Sequence, residues 1–234
     1  MRTLLLALSI ALGSVTAQAQ VAPAAAEAAA YTGLHAAAQK GDVAGILRLA
    51  ASGAALNATD GHGRTALHVA TFAGQRDAIR VLAEAGADMN RLENDRYDAV
   101  TIASVADDEE TLKLLLQLGA SARQVTSRYD GTALIAAAHL GHHGVVRQLI
   151  AAGAPLDHVN NLRWTAVIES IVLGDGGRRH QATLRALIDA GANLQLADRS
   201  GRTPLELARA RGYSAMVSML EEAEITGKPR ARRR

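Results

Sequence analysis

Apolar and polar positions along this chain recur in units of about 33 residues. Thr65-Ala66-Leu67-His68-Val69-Ala70 shows how a unit starts: a hydroxyl able to cap free helix amides, then an apolar stripe with alanines small enough for close packing. Gly74 ends that helix, and Gly41, Gly141, Gly174 and Gly212 hold the same place in other units, where a left-handed residue lets the chain turn. A second amphipathic helix follows, as in Ala78-Ile79-Arg80-Val81-Leu82-Ala83, and runs to Gly86; the polar stretch from Asp88 to Arg96 predicts a loop reaching to the next unit. Gly53-Ala54, Gly86-Ala87, Gly119-Ala120, Gly153-Ala154 and Gly191-Ala192 close successive units at spacings of 33, 33, 34 and 38 residues. Thr32, Thr65, Asp98, Thr132, Thr165 and Thr203 open them. Five of these six precede an apolar residue of the second helix (Leu49, Leu82, Leu115, Leu149, Leu220) by 17 residues, whereas Thr165 precedes Leu187 by 22 and so opens a unit with five extra residues. Such a period predicts stacked helix pairs, each completing its core only through its neighbours.

Those residues resemble the ankyrin repeat family, whose unit has a Thr-Pro-Leu-His start, a glycine at its middle and a Gly-Ala-Asp-X-Asn end. The match runs from about Tyr31 to Ala223 and is best at Thr65-Ala66-Leu67-His68, Gly86-Ala87-Asp88-Met89-Asn90 and Thr203-Pro204-Leu205. Asp98 stands where the family has a capping Thr, Asp107 where it has the mid-unit Gly, and Ile168 and Glu206 where it usually has His; the spacing survives each change. The resemblance implies an all-α solenoid of about six helix-turn-helix units, starting near residues 32, 65, 98, 132, 165 and 203, with protruding β-hairpin-like finger loops. Recognition in such proteins uses the fingers and the first helices, which together line a concave face.

The ends read differently. Met1-Arg2, the apolar run from Leu4 to Val15 and Ala17-Gln18-Ala19 have the pattern of a signal peptide over residues 1–19, with cleavage before Gln20, so export to the periplasm is expected, with secretion as the alternative. That run of 12 residues is short of the ~20 that span a bilayer, and no membrane span is expected. Without cysteine the chain has no disulfide and no lipid-bearing thiol. Residues 20–30 read as an Ala-rich linker or N-terminal cap, residues 31–223 as the repeat domain, and residues 224–234 as a basic disordered tail. With Arg2 and the tail residues Lys228, Arg230, Arg232, Arg233 and Arg234 set aside, 19 basic residues face 23 acidic ones, so the body is acidic and offers no basic stripe for nucleic acid. Aromatics make up 3% of the chain, which suits thin layers of Ala and Leu.

Candidate chemistry concentrates in two places. Tyr97, Tyr129 and Trp164 lie in three successive fingers among Arg96, Arg128, Arg163, His158, Asn160 and Asn161, residue types that dominate binding hot spots, with Trp164 the leading contact. The alternative for these aromatics is a purely structural one, covering the neighbouring finger. The insertion over 174–180 offers Gly176, Gly177, Arg178, Arg179 and His180 as a candidate anion loop, the bland reading being a harmless turn. It lacks the lysine and hydroxyl of a phosphate-binding loop. Motifs for hydrolase, metalloprotease and dinucleotide chemistry are missing, and Gly141 breaks the helical face that His139 and His143 would need as metal ligands, so neither catalysis nor a cofactor or metal is expected. The expected function is that of a non-enzymatic module binding a protein of the cell envelope through its concave finger face; the alternative is a small-molecule or anion-binding accessory to an envelope enzyme.

Overall fold

The computed structural model describes residues 20–226, so the expected signal peptide and the last eight residues of the tail lie outside it. A short helix, α1 (Ala25–Ala30), precedes six helix pairs. These are α2 (Gly33–Lys40) with α3 (Val43–Ala51), α4 (Ala66–Phe72) with α5 (Arg76–Glu84), α6 (Ala99–Val105) with α7 (Glu109–Gln117), α8 (Ala133–Leu140) with α9 (His143–Ala151), α10 (Ala166–Val172) with α11 (Arg178–Asp189), and α12 (Pro204–Ala210) with α13 (Ser214–Thr226). Among the described residues there is no strand, only one isolated antiparallel bridge between Thr126 and Gly131.

Five of the six unit-opening residues act as helix caps, whereas the side chain of Thr32 makes no capping bond. The side chains of Asp98, Thr132, Thr165 and Thr203 accept from the amides of Thr101, Ile135, Ile168 and Glu206 at 2.7, 3.3, 3.2 and 3.4 Å. Thr65 instead caps through His68: its amide donates to Nδ1 at 3.1 Å, which leaves Nε2 to donate to the Tyr97 carbonyl at 3.2 Å. His68 is thereby a tie between units, fully buried and held neutral, with its pKa pushed down to about 4 by burial. Asp107, in the place of the mid-unit glycine, takes the left-handed conformation with φ of 57°, which Asp tolerates better than most side chains.

Inner helices α2, α4, α6, α8, α10 and α12 pack in sequence, and outer helices α3, α5, α7, α9, α11 and α13 pack behind them. Buried alanines such as Ala70, Ala103, Ala137 and Ala166 let the inner row close up, while Leu82, Leu115, Leu149, Leu187 and Leu220 fill the seam between rows. Leu49, the same position in the first unit, is only half-buried because no outer helix precedes α3.

The insertion is shared between turn and helix. Five residues separate α10 from α11 where three separate α4 from α5, and α11 has 12 residues against 9 in α5, α7 and α9. Arg178, Arg179 and His180 therefore form the first turn of α11 rather than a loop, because this polar run is compatible with a helix start once Gly177 has turned the chain. From there Arg179 reaches back past a whole unit, donating to Asp107 Oδ2 at 2.6 Å and to the Gly141 carbonyl at 3.3 Å.

The two ends are covered differently. Arg64, whose side chain is 2% exposed, donates to Asp60 Oδ2 at 2.7 Å, lies 3.4 Å from Glu27, and donates to the Val21 carbonyl at 3.4 Å. Tyr31 donates to the same Asp60 oxygen at 2.7 Å, and these donors hold Asp60 down at about 2. Glu27 and Tyr31 thus fasten α1 and the residue after it to the first finger. At the other end α13 continues to Thr226, so residues 224–226, expected in the tail, extend the last helix.

Candidate partner-binding surface

The fingers are tight turns of one design. The amides of Asp60, Glu93, Thr126, Asn160 and Asp198 donate to the carbonyls of Arg64, Tyr97, Gly131, Trp164 and Arg202 at 2.8–3.0 Å. A polar side chain five residues before each helix cap braces the turn: Asp60, Asn160 and Asp198 each accept two amides of their own finger, Glu93 accepts from Tyr97, and Ser127 accepts from Tyr129. Neighbouring fingers are then joined by backbone bonds, from Asn94 to His62, from Ser127 to Arg96 and from Asn161 to Tyr129, at 3.0, 3.1 and 2.9 Å. The finger surface is accordingly preformed.

Most of the polar residues singled out from the sequence serve this joining. Arg96 pairs with Asp130 at 2.7 Å, Arg128 approaches Asp95 at 3.8 Å, His158 bonds the Asp130 carbonyl at 2.6 Å, and Asn161 donates to the Arg128 carbonyl at 3.0 Å. Arg163 is exposed on its finger tip with φ of 66°. Asn160 turns inward and is buried. Trp164 is half-buried against the core, next to Val172, Asp198 and Leu207.

What the structure brings together is a cavity of about 180 Å³ on the concave face, where the fingers meet α6, α8 and α10. Tyr97, Tyr129, Val105, Ile135 and Leu140 form its walls; Thr101, His139, Asn160 and Glu169 supply polar groups. Its opening follows from one glycine. The residue just before each helix cap is Tyr31, Arg64, Tyr97, Trp164 or Arg202 in five units and Gly131 in the remaining one, so a side chain is missing from the row at this point.

Glu169 is the unexpected member. The same column holds Ala36, Val69, Ile102, Ala136 and Leu207 in the other units. Its side chain is 8% exposed; Asn160 Nδ2 donates to Oε1 at 2.9 Å, and Oε2 faces His139 Nδ1 at 3.6 Å, beyond a hydrogen bond. Burial pushes its pKa up to about 7, only partly offset by Asn160, and burial also lowers that of His139, so the pair is held toward its neutral forms. A charge in an otherwise apolar column was the signal in the sequence that marks this residue.

Of the residues proposed for an anion, Gly176, Gly177, Arg179 and His180 are engaged with the chain itself, while Arg178 is exposed. Arg179 meets Asp107, while the two ring nitrogens of His180 lie 2.8 Å from Asp175 Oδ1 and 2.9 Å from the His139 carbonyl. Gly177 donates to Asp175 at 2.8 Å, and Gly176 lies against the Tyr213 ring, where a Cβ would come within 2.5 Å. Among the described residues no group of three or more His, Asp or Glu is arranged to hold a metal ion, and no helix is long and apolar enough to cross a membrane.

Comparison with known proteins agrees with this architecture. The family model described as "Ankyrin repeats (3 copies)" matches residues 11–93 and 99–198. A putative ankyrin repeat protein of Escherichia coli K12, YahD, is 39% identical over 95 residues; the matched stretch covers 40% of this chain and about half, 47%, of that relative. The crystal structure of an ankyrin repeat domain from Acinetobacter baumannii is 43% identical, with a TM-score of 0.77 over 82% of this chain and 97% of its own. A second ankyrin repeat protein of known structure, EF0377, is 27% identical, with a TM-score of 0.73 over 82% of this chain and 98% of its own.

Proposed function

The chain belongs to the ankyrin repeat family, whose repeats are protein–protein interaction modules, and from that premise we propose that it is an exported, non-enzymatic protein that docks a partner of the cell envelope on its concave finger face. The observation that carries this reading is the preformed surface around Tyr97 and Tyr129. Each finger is closed by its own brace and fastened to the next, so association orders little new backbone, and two half-buried aromatics flank a cavity able to receive a partner side chain. The export half of the proposal rests on the pattern of residues 1–19.

The test uses the full chain expressed in its native host. Fractionation with N-terminal sequencing is expected to find the protein in the periplasm beginning at Gln20; retention of Met1 in the cytoplasm overturns the export claim. Cross-linking in envelope extract is expected to capture a protein that Tyr129→Ala loses by at least tenfold while helical circular dichroism is unchanged. A partner captured equally by Tyr97→Ala and Tyr129→Ala would move the interface off this face.

A further inference from the structure

The concave cavity has a chemical bias that the finger surface as a whole lacks. Its lining contains no Lys or Arg, its buried acid Glu169 has one oxygen outside hydrogen-bond distance of His139, and Tyr97 and Tyr129 are among its walls. A buried carboxyl in a column that is otherwise apolar is costly to the fold unless something pairs with it. A volume of about 180 Å³ holds several waters or one long side chain. Aromatic walls with an acid at depth suit a positively charged end on an aliphatic stem.

The chain already sends one side chain there. Residues 20–24 precede α1 without regular secondary structure, and Gln20 lines the cavity with its Nε2 buried and without a hydrogen-bond partner. The segment is held by little: the Val21 carbonyl accepts from Arg64 at 3.4 Å, and the Val21 side chain is exposed. Gln20 thus fills space without satisfying the donor it carries. Lysine is one atom longer and ends in a charge.

Resting on the protein-binding reading above, we propose that this cavity is the pocket for a lysine side chain presented by an extended segment of the partner, and that residues 20–24 of the chain are an internal competitor which that segment displaces. Recognition of the ammonium group comes from Glu169 with Tyr97 and Tyr129, and Gly131 is the gap through which the stem passes.

Two acetylated pentapeptides test this, Gln-Val-Ala-Pro-Ala, which copies residues 20–24, and Lys-Val-Ala-Pro-Ala, titrated calorimetrically into the full chain and three variants. The lysine peptide is expected to bind at least tenfold more tightly than the glutamine peptide, and Glu169→Gln to erase that preference. Gln20→Gly, which empties the pocket, is expected to tighten both peptides. Gly131→Leu is expected to abolish both; the backbone there is outside the left-handed region and an added Cβ finds its nearest atoms at 3.5 and 3.8 Å, so a side chain can start there without a clash, and an unchanged thermal melt is the control that the fold is kept. Binding that survives Gly131→Leu, or no binding of either peptide, overturns the proposal. Equal binding, or preference for the glutamine peptide, also overturns it and makes the cavity a latch for the chain's own segment. A partner captured through Tyr129 but indifferent to Gly131→Leu refutes the lysine pocket while leaving the interaction surface intact; peptide binding without any captured partner does the reverse.

Discussion

Two buried titratable residues, Glu169 and His68, pull the stability of this protein in opposite directions with pH. Folded Glu169 keeps its proton to about 7, whereas the unfolded chain releases it near 4.5, so stability falls as pH rises across that interval. Folded His68 takes up a proton only near 4, whereas the unfolded chain does so near 6.5, so stability falls as pH drops across that interval. Each difference is worth about 3 kcal/mol when fully developed, and the two slopes oppose one another between 4.5 and 6.5. Glu169→Gln removes only one of them. The variant is expected to be more stable than the parent at pH 7.5, by up to about 3 kcal/mol, and to lose stability on acidification where the parent changes little. Urea unfolding at several pH values measures this; parallel profiles for the two proteins would show that Glu169 titrates normally. At this scale the sequence was legible in part. The caps announced themselves through their 33-residue spacing, and Tyr97 and Tyr129 stood out by the rarity of aromatics. Glu169 carried a signal too, a charge in an apolar column, but its meeting with His139 beside the gap at Gly131 is visible only once neighbouring fingers stand side by side.

Helix pairs were the most legible elements, since each repeats a pattern dense enough to fix its type. Their energetics depend on position in the stack. Leu149, on α9 and fully buried between two neighbouring outer helices, is expected to cost about 2–5 kcal/mol on Leu149→Ala, whereas Leu49→Ala, at the half-covered end, is expected to cost clearly less. Denaturant unfolding of both variants checks the order, and equal losses would mean that α3 is covered by something outside the described residues. The insertion was the least legible element. Glycines at 174, 176 and 177 point to a loop, yet Arg178 begins the helix, and the extra length went mainly into α11. That choice is tertiary: it lets Arg179 reach Asp107 and places His180 under α8, contacts that no local pattern encodes.

The whole molecule is a row in which stability is passed between neighbours, and its ends are the weak points. Amides of α6, α8 and α10 are expected to exchange hydrogen slowest, and those of α12 and α13 fastest. Leu220→Ala, in the last seam, is expected to speed exchange in α12 and α13 without altering α6 and α8, as mass-spectrometric exchange on peptides would show. Uniform acceleration would instead mark a single cooperative unit.

One tie complicates this picture of a simple row. A chain joined only between adjacent units accepts the gain or loss of a whole unit almost anywhere. Arg179 and Asp107 lie 72 residues apart and belong to units separated by a third, the one opened by Thr132. Excising that intervening unit would carry away Gly141, whose carbonyl Arg179 also uses, and would bring a lengthened helix against a neighbour it was not shaped to meet. The three middle units are therefore expected to be kept together as a triplet, with length variation in relatives falling at the two ends.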